Sequence, residues 1–407
     1  MAIVRTTRRS YGSNILNSVK GVFAGILLVI ICTGLLYWNE SSSVKMIRAI
    51  DDVKKNLVEI TEVNPTPVSA NDNKLVLVKG DLALTSLPAD PAFVGITGTY
   101  KLVRTVETLL WKETKTTSSH DNLGGSTTEE TTYNYTKVWT SDYINSSSFD
   151  SEGRVGHENP LEADILNPTG IEGLSLGSSV GYAGGAKIGG FTLSRTHLEQ
   201  LPATNKAIPD SVSAPTGFSI KSNFFTTASN VANRPSSEAT QTDIGAVRVS
   251  FMEGSATQAT ILGEQQADGS FTAYTSNGNT FNDARAGLLT ADQFISALKK
   301  ENDTKTWIFR LLLALLICIG FSLMLAPVAV IAKVIPFLGR LTRAASSFVG
   351  FLIGIAFSVA VIAISWVAVR PLIGIPLLGV TVAFIILAVV KAKKSKQVPQ
   401  GQTQPQY

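Results

Sequence analysis

Three apolar runs close the chain and decide its fold: LLLALLICIGFSLMLAPVAVIA (311–332), FVGFLIGIAFSVAVIAISWVAV (348–369) and LIGIPLLGVTVAFIILAVV (372–390). They contain 22, 22 and 19 residues, and about 20 apolar residues in a helix cross the hydrocarbon layer of a membrane. A helix that is apolar on every face would otherwise need a large protein core around it. Because the rest of the chain is not apolar enough to supply that core, the three runs predict transmembrane helices.

A further apolar run lies near the start of the chain, at residues 22–38. It is short, so a cleavable signal peptide is the alternative interpretation. The run ends in Tyr37 and Trp38, an aromatic pair typical of a membrane–water interface, whereas a signal peptide needs small residues before the cut. We therefore predict an uncleaved first transmembrane helix, with a late cleavage near Ser41 and Ser43 as the open alternative.

The charged residues predict which side of the membrane each segment occupies. Segments 1–21, 333–347 and 391–407 hold eleven Lys or Arg and no acid, and all 31 acids lie within residues 39–307. Loops rich in Lys and Arg remain in the cytoplasm. We predict that both termini are cytoplasmic and that the large segment between the first two helices is not. The net charge of +4 is then a signal of topology, and no nucleic-acid partner is expected.

The predicted fold class is an α+β membrane protein with four transmembrane helices, one N-terminal and three C-terminal, and a large β-rich extracytoplasmic domain between the first and the second. Its segments are, in order, a cytoplasmic tail (1–21), the first helix (22–38), the extracytoplasmic domain (39–307), the second helix (308–332), a cytoplasmic or interfacial loop (333–347), the third helix (348–369), the fourth helix (372–390) and a basic cytoplasmic tail (391–407).

The large domain begins with an amphipathic helical pattern at residues 44–60. Apolar residues recur there every three or four positions, as in two heptads of a coiled-coil seam. Packing on the chain's own domain, a seam to a partner or second copy, and a helix lying on the membrane all fit this pattern. In the third span, two glycines four residues apart would let helices approach closely, although glycine is also common in membrane helices. The candidate oligomer contacts are Met46, Ile50, Val53, Leu57, Ile60, Gly350 and Gly354.

Beyond residue 65 the apolar pattern changes to a period of two, which predicts strands. Residues 167–242 are rich in Gly, Ser, Thr, Asn and Pro and predict long loops. Thr290 and Gln293 form a capping box, which predicts a helix that runs toward the second span. The predicted strands are 74–78, 100–111, 131–139, an isolated strand at 187–194, 246–251, and a hairpin of 259–265 with 271–275 around the Asp268-Gly269 turn.

The sequence offers little catalytic chemistry. Both cysteines, Cys32 and Cys318, lie inside predicted spans, so the large domain has no disulfide and no thiolate metal site. The three histidines, His120, His157 and His197, are far apart in the chain and belong to no metalloprotease or nucleophile-elbow motif. We predict no catalytic, cofactor-binding or metal-ligating residue, and no cofactor.

One block of the large domain resembles a known family. It consists of TYNYTKVW (132–139), INS (144–146), FD (149–150) and GHENP (156–160). Further similarities follow in the same order at residues 187–194, 247–251, 305–307 and 370–372. Together they are similar to the LUMA (transmembrane protein 43) family over nearly the whole chain, with the same four-span layout. The stretch 203–242 departs from the family's pattern, which leaves the loops of the domain undetermined.

The resemblance implies a non-enzymatic membrane scaffold. Eukaryotic members reside in the endoplasmic reticulum and inner nuclear membrane, where they self-associate and organise envelope proteins. The partners expected from it are the lipid bilayer, further copies of the chain, and membrane or envelope proteins. The domain would lie in the periplasm of a bacterium, or in the lumen of the endoplasmic reticulum and nuclear envelope of a eukaryote.

Two other functions remain as alternatives. A channel or transporter subunit is disfavoured because no ionisable side chain is expected at mid-membrane. An enzyme that acts on lipid or envelope material is disfavoured because the sequence groups no nucleophile with a base.

Overall fold

The computed structural model describes residues 3–162, 177–215, 218–229, 244–331 and 336–369, together with the single positions 375, 376 and 379. The chain forms two compact units that alternate along the sequence. The first unit, the β-rich unit, comprises residues 1–7, 49–118 and 129–297. The second, the helical unit, comprises residues 8–48 and 119–128 and the chain from residue 298 onward.

Five α-helices occur in the described part of the chain: α1 (Tyr11–Asn56), α2 (Arg195–Gln200), α3 (Ala291–Met324), α4 (Ala326–Ile331) and α5 (Pro336–Val369). Three of them, α1, α3 and α5, contain stretches long and apolar enough to cross a membrane. These three confirm the predicted first, second and third spans as membrane-crossing candidates. The fourth predicted span, 372–390, lies outside the described residues apart from three single positions.

The strands form two larger sheets and one hairpin, all within the described residues. They are β1 (Ile3–Arg9), β2 (Val58–Val63), β3 (Leu75–Ala83), β4 (Lys101–Asp121), β5 (Thr127–Thr140), β6 (Ser179–Tyr182), β7 (Lys187–Ile188), β8 (Phe191–Thr192), β9 (Ala203–Asn205), β10 (Ser219–Lys221), β11 (Phe224–Ser229), β12 (Ala246–Gly254), β13 (Gln258–Gln265), β14 (Phe271–Thr272), β15 (Tyr274–Ser276), β16 (Asn279–Phe281) and β17 (Asp283–Ala286).

The larger sheet has the order β1-β5-β4-β12-β11-β10, with β6 added to β4 and β9 added to β12. The smaller sheet has the order β14-β13-β3-β7-β8, with β17 on β13 and β2 on β3. Most pairs are antiparallel, but β2 runs parallel to β3. Strands β15 and β16 form the separate hairpin. The predicted strands at 74–78, 100–111, 131–139, 246–251 and 259–265 are confirmed as β3, β4, β5, β12 and β13.

Two details of the strand prediction were wrong. Residues 187–194 contain the tight hairpin β7–β8 and not an isolated strand, because Gly189 with its φ of 55° reverses the chain. Residues 271–275 divide between β14 and β15. The predicted turn before them is confirmed: Gly269 has a φ of 76°, and the Gln266 amide donates to the Ser270 carbonyl across the turn.

The helix boundaries also differ from the prediction. The first span and the amphipathic segment 44–60 are one helix, α1, which ends at Asn56, so Ile60 belongs to β2. The second span ends at Met324 and not at residue 332, since Pro327 follows and cannot continue the α3 ladder. Residues 336–347, predicted as part of a loop, form the start of α5.

In the segment predicted as a cytoplasmic tail (1–21), the described residues from Ile3 onward contain a strand and the start of a helix. Residues Ile3–Arg9 form β1 at the edge of the larger sheet, and α1 already begins at Tyr11. A strand was not expected there because the polar and basic side chains carry no buried apolar face. One reason for the pairing is the guanidinium of Arg5, which forms an ion pair with Asp150 and donates a further hydrogen bond to Ser151.

Separate cores hold the two units together. In the β-rich unit one core packs around Phe191 and Ile261, and another around Phe93 and Phe251. The rings of Phe93 and Phe251 meet edge to face with centroids 5.5 Å apart. In the helical unit the core joins α1 to α3 through Val29, Cys32, Leu36, Leu313 and Ile317.

Candidate functional site

Two facing helix stripes of the helical unit line a polar cavity that is partly open to its surroundings. On α1 the stripe is Glu40, Ser43, Val44 and Ile47, and on α3 it is Asp303, Thr306, Trp307 and Arg310. Both sets have the spacing i, i+3, i+4, i+7, which places their members on one side of a helix. The stripe on α1 follows the first span, and the stripe on α3 precedes the second span. The two helices run in opposite directions, so the first residue of one stripe, Glu40, lies level with the last residue of the other, Arg310.

An ion pair closes the end of this site that is nearest the spans. The Arg310 guanidinium donates from Nε and Nη2 to the two carboxylate oxygens of Glu40, both at 2.6 Å. The indole Nε1 of Trp366 on α5 donates to Glu40 Oε2, also at 2.6 Å. The Glu40 side chain is 1 % exposed. One carboxylate therefore ties three helices together.

Aromatic rings and amides complete the surroundings of the ion pair. The guanidinium of Arg310 lies over the ring of Trp307 at 4.8 Å and over that of Trp366 at 5.4 Å. A desolvated cation between two indole faces gains cation–π energy. Nearby, Asn39 donates to the Thr306 carbonyl at 3.3 Å. A buried carboxylate is costly unless it is paired and hydrogen-bonded, and here both conditions are met.

A cavity of about 230 Å³ lies between the two stripes. Glu40, Arg310, Trp307 and Trp366 line one part of it, and Asp303 with Ser43 contributes further polar groups. Ligand sites for drug-sized molecules are typically about 300–1,000 Å³, so this cavity has room for a small polar group. This is the site that we consider the best candidate for function.

The predicted oligomer contacts lie outside this cavity, and most of them pack against other residues of the same chain. A Cβ added to Gly354 would lie 2.5 Å from Cys318 Cα, and one added to Gly350 would lie 2.7 Å from Ser322 Cα. These glycines thus bring α5 against α3 of the same molecule. On α1, Ile50 and Val53 are fully buried in the chain. The remaining seam residues, Met46, Leu57 and Ile60, are half-buried. The structure therefore gives both glycines and both fully buried seam residues an intramolecular role.

The residues that carry the family resemblance pack the segment after β5 against the β4–β5 hairpin. The imidazole of His157 stacks on the ring of Tyr135 with centroids 4.3 Å apart, and meets Trp111 edge to face at 4.5 Å. Asn159 accepts a hydrogen bond from the Trp111 amide and donates to the carbonyls of Trp111 and Ile144. These residues fix the segment after β5 on the hairpin, which is a structural role.

The Glu113 carboxylate and the Tyr135 phenol are hydrogen-bonded to each other beneath this segment. Tyr135 donates its hydroxyl hydrogen to Glu113 Oε2 at 2.6 Å, and the same oxygen accepts from the Asp150 amide at 2.7 Å. Burial first, and then the bond to Glu113, raises the pKa of the Tyr135 phenol. The Arg5 guanidinium lowers the pKa of Asp150. All of these groups are hydrogen-bonded to one another or to the backbone.

The other two histidines have different surroundings. His120 lies exposed on β4. His197 is fully buried in α2, where its Nδ1 accepts from the Ser194 amide at 3.1 Å and its Nε2 lies 2.8 Å from Asn282 Oδ1. This arrangement suits a neutral ring with the hydrogen on Nε2. Within the described residues, no group of three or more His, Cys, Asp or Glu is arranged to hold a metal.

Sequence reasoning missed the ion pair between α1 and α3. It considered ionisable side chains only at mid-membrane, and Glu40 and Arg310 lie at the ends of their spans. The usable signal was an acid two residues after Trp38 and a base three residues after Trp307. When neighbouring spans carry opposite charges at the same membrane–water interface, an ion pair between them is favoured.

The fold and the site together define an integral membrane protein that carries a β-rich domain between its first two spans. A family model described as transmembrane protein 43 matches residues 108–371. That match covers more than half of the chain, so the chain belongs to the transmembrane protein 43 family, as its motifs had indicated.

The relatives match this chain at low sequence identity, two of them over most of its length. Transmembrane protein 43 of Mus musculus is 24% identical over 362 residues, which cover 86% of this chain and 85% of the relative. The Homo sapiens protein is 23% identical over 386 residues, covering 92% and 91%. The Drosophila melanogaster homolog is 24% identical over 142 residues, or 35% and 37%. No solved structure matches the chain.

Proposed function

We propose that the protein is a non-enzymatic integral membrane scaffold that self-associates and organises membrane or envelope partners through its β-rich domain. The observation that carries this proposal is the continuity of α1 and α3. Each is one unbroken helix, of 46 and 34 residues, that contains both a membrane-spanning stretch and a polar segment of the domain. Such helices present a domain directly at the bilayer, without a linker.

The use of the polar side chains supports the same proposal. Several groups that could perform acid–base chemistry in the described part of the β-rich unit hold loops and helix ends instead. His197 caps α2, and Glu113 supports Tyr135 and the Asp150 amide. A scaffold needs such groups for shape, whereas an enzyme needs some of them facing a substrate.

The proposed topology places both termini in the cytoplasm and the β-rich domain on the other side of the membrane. Its support is the charge distribution of the sequence, since the cytoplasmic segments hold only bases. Membrane contacts between copies would have to use surfaces other than Gly350, Gly354, Ile50 and Val53, because those four residues pack inside one chain.

The mass of the full chain in nanodiscs tests self-association. We expect discs that hold two or more copies when the ratio of protein to disc is raised, and the same assembly in a mild detergent. A single copy per disc at every ratio would contradict self-association. Ion flux across liposomes loaded with the single-copy protein would instead favour the channel alternative.

A further inference from the structure

The cavity between the α1 and α3 stripes has the Glu40–Arg310 ion pair at one end and the Asp303 carboxylate at the other. Arg310, with its Glu40 partner, lies at the end next to the spans, and Asp303 lies seven residues earlier on α3. Seven helical residues rise about 10 Å. The cationic group is thus closer to the bilayer, and the anionic group is farther from it.

Two polar groups at this cavity have unused binding capacity. The ion pair with Glu40 uses Nε and Nη2 of Arg310, and Nη1 has no hydrogen-bond partner among the described residues. The side chain of Arg310 is only 12 % exposed. Asp303 is exposed, and its carboxylate has no hydrogen bond or ion pair to the part of the chain that the structure describes. A guanidinium N–H pair suits a phosphate oxygen, and a carboxylate suits an ammonium group.

The aromatic walls add a preference for cations of low charge density. Trp307 and Trp366 line the cavity, and indole faces attract ammonium groups, including quaternary ones. Trp307 is 59% exposed, so its ring is available beyond its contact with Arg310. The residues Val44 and Ile47 supply an apolar wall opposite.

We infer that this cavity binds the headgroup of a zwitterionic phospholipid from the leaflet on the side of the β-rich domain. In such a lipid the anionic phosphate lies next to the glycerol and the cationic ammonium group lies farther out in the water, so each lipid charge lies level with a protein group of the opposite sign. The phosphate accepts from Arg310 Nη1, and the ammonium group lies against Asp303 and the indole rings. An anionic lipid without an ammonium group leaves Asp303 unpaired and repelled. The inference does not depend on the scaffold proposal.

The test measures which lipid the full-length protein retains. The protein is purified in a neutral maltoside detergent and mixed with equal amounts of dioleoyl phosphatidylcholine, dioleoyl phosphatidylglycerol and dioleoylglycerol. Native mass spectrometry then counts the copies of each lipid that remain bound. We expect the wild-type protein to retain phosphatidylcholine over the other two by about fivefold or more, equivalent to one exposed ion pair.

The variant Asp303→Asn removes the anionic end while leaving the Glu40–Arg310 pair intact. We expect it to lose the fivefold preference and to keep the helical content of the wild type. The matched control is Glu301→Gln, which neutralises an acid of the same helix that does not line the cavity; it should keep the preference. Equal retention of all three lipids by the wild type, or an unchanged preference in Asp303→Asn, would overturn the inference.

Free phosphocholine separates a lipid from a soluble ligand of the same chemistry. We expect it to displace phosphatidylcholine poorly, because the acyl chains hold the headgroup at the site. If free phosphocholine competes at equal concentration, the site binds a soluble zwitterion, and the assignment to a membrane lipid is wrong.

Discussion

Individual buried charges show most clearly what this fold depends on. Asp90 and Arg104 form an ion pair at 2.8 Å, with side chains only 3 % and 7 % exposed. The carboxylate also accepts from the amides of Ala92 and Phe93, and Arg104 donates from Nε to the Gly177 carbonyl. Each partner satisfies the other, so the removal of either leaves an uncompensated buried charge.

The variant Asp90→Ala should therefore destabilise the β-rich unit strongly. We expect a loss of about 3–5 kcal/mol in the free energy of unfolding. Asp292→Ala is the matched control, since Asp292 pairs with Lys54 at 2.8 Å in an exposed position, and it should cost at most about 1 kcal/mol. Denaturant unfolding of the purified chain measures both. Equal losses would show that the buried pair has no special role.

The buried imidazole of His197 makes stability depend on pH. Burial lowers its pKa, and the bond to Asn282 opposes this only in part. Because the folded-state pKa lies below the unfolded value of about 6.5, the unfolded chain takes up the proton first as the pH falls. The contribution of His197 is complete above about pH 6.5 and is lost progressively below it.

We expect the stability of the β-rich unit to fall between pH 7 and pH 5 by no more than about 1.4 kcal/mol per pH unit from this residue. The variant His197→Gln should be less stable at pH 7, because the capping contacts are disturbed, but should show a smaller slope over the same range. Unfolding curves at pH 7, 6 and 5 measure both effects. An unchanged slope in the variant would exclude His197 as the group responsible.

At the scale of elements, α5 packs closely on α3 because the α5 residues at the contact are glycines, which have no side chain. The close approach at Gly354 is to the Cα and backbone nitrogen of Cys318, at 2.5 and 2.9 Å from an added Cβ. Backbone atoms cannot move aside as a flexible side chain can, so a methyl group there must push the helices apart.

The variant Gly354→Ala should lower the stability of the helical unit by about 1–3 kcal/mol. Gly34→Ala is the control, because nothing lies within 4 Å of a Cβ at that position of α1. The thiol of Cys318, which is buried and donates to the Phe351 carbonyl at 3.4 Å, reports the separation. We expect faster thiol labelling in Gly354→Ala and an unchanged rate in Gly34→Ala. Similar rates in both variants would contradict the packing role.

The sequence predicted which helices and strands form better than it predicted where they end and which side chains they bring into contact. Apolar length identified the spans, and period-two patterns identified strands such as β3 and β13, because burial imposes those patterns locally. The pairing of Glu40 with Arg310, 270 residues apart, left no periodic trace. The seam on α1 shows the same limit: its spacing indicated a buried face, but spacing alone does not say whether that face packs on the same chain or on another.

At the scale of the whole molecule, the packing of α1 against α3 bears on topology. An added Cβ at Gly25 would lie 2.6 Å from the Gly320 carbonyl oxygen, and Glu40 lies against Arg310. The two helices thus stay side by side, antiparallel, over residues 25–40 of α1, and the contact at Gly21 with Leu323 extends this further. About 20 residues of helix cross a bilayer. If α3 crosses, then α1 crosses beside it.

A crossing by α1 would put the segment before this helix and the segment after it on opposite sides of the membrane. We expect this crossing, because segment 1–21 holds four bases and no acid.

Introduced cysteines, labelled in intact cells with a membrane-impermeant thiol reagent, test whether α1 crosses the membrane. The native Cys32 and Cys318 are buried in the helical unit and give little background. We expect Ser141→Cys, in the exposed bend that follows β5, to be labelled from one side, and Thr6→Cys and Lys396→Cys from the other. Labelling of Thr6→Cys from the same side as Ser141→Cys would mean that α1 does not cross the membrane. Labelling of Lys396→Cys from the side of Ser141→Cys would remove the fourth span and leave a three-span protein with its termini on opposite sides.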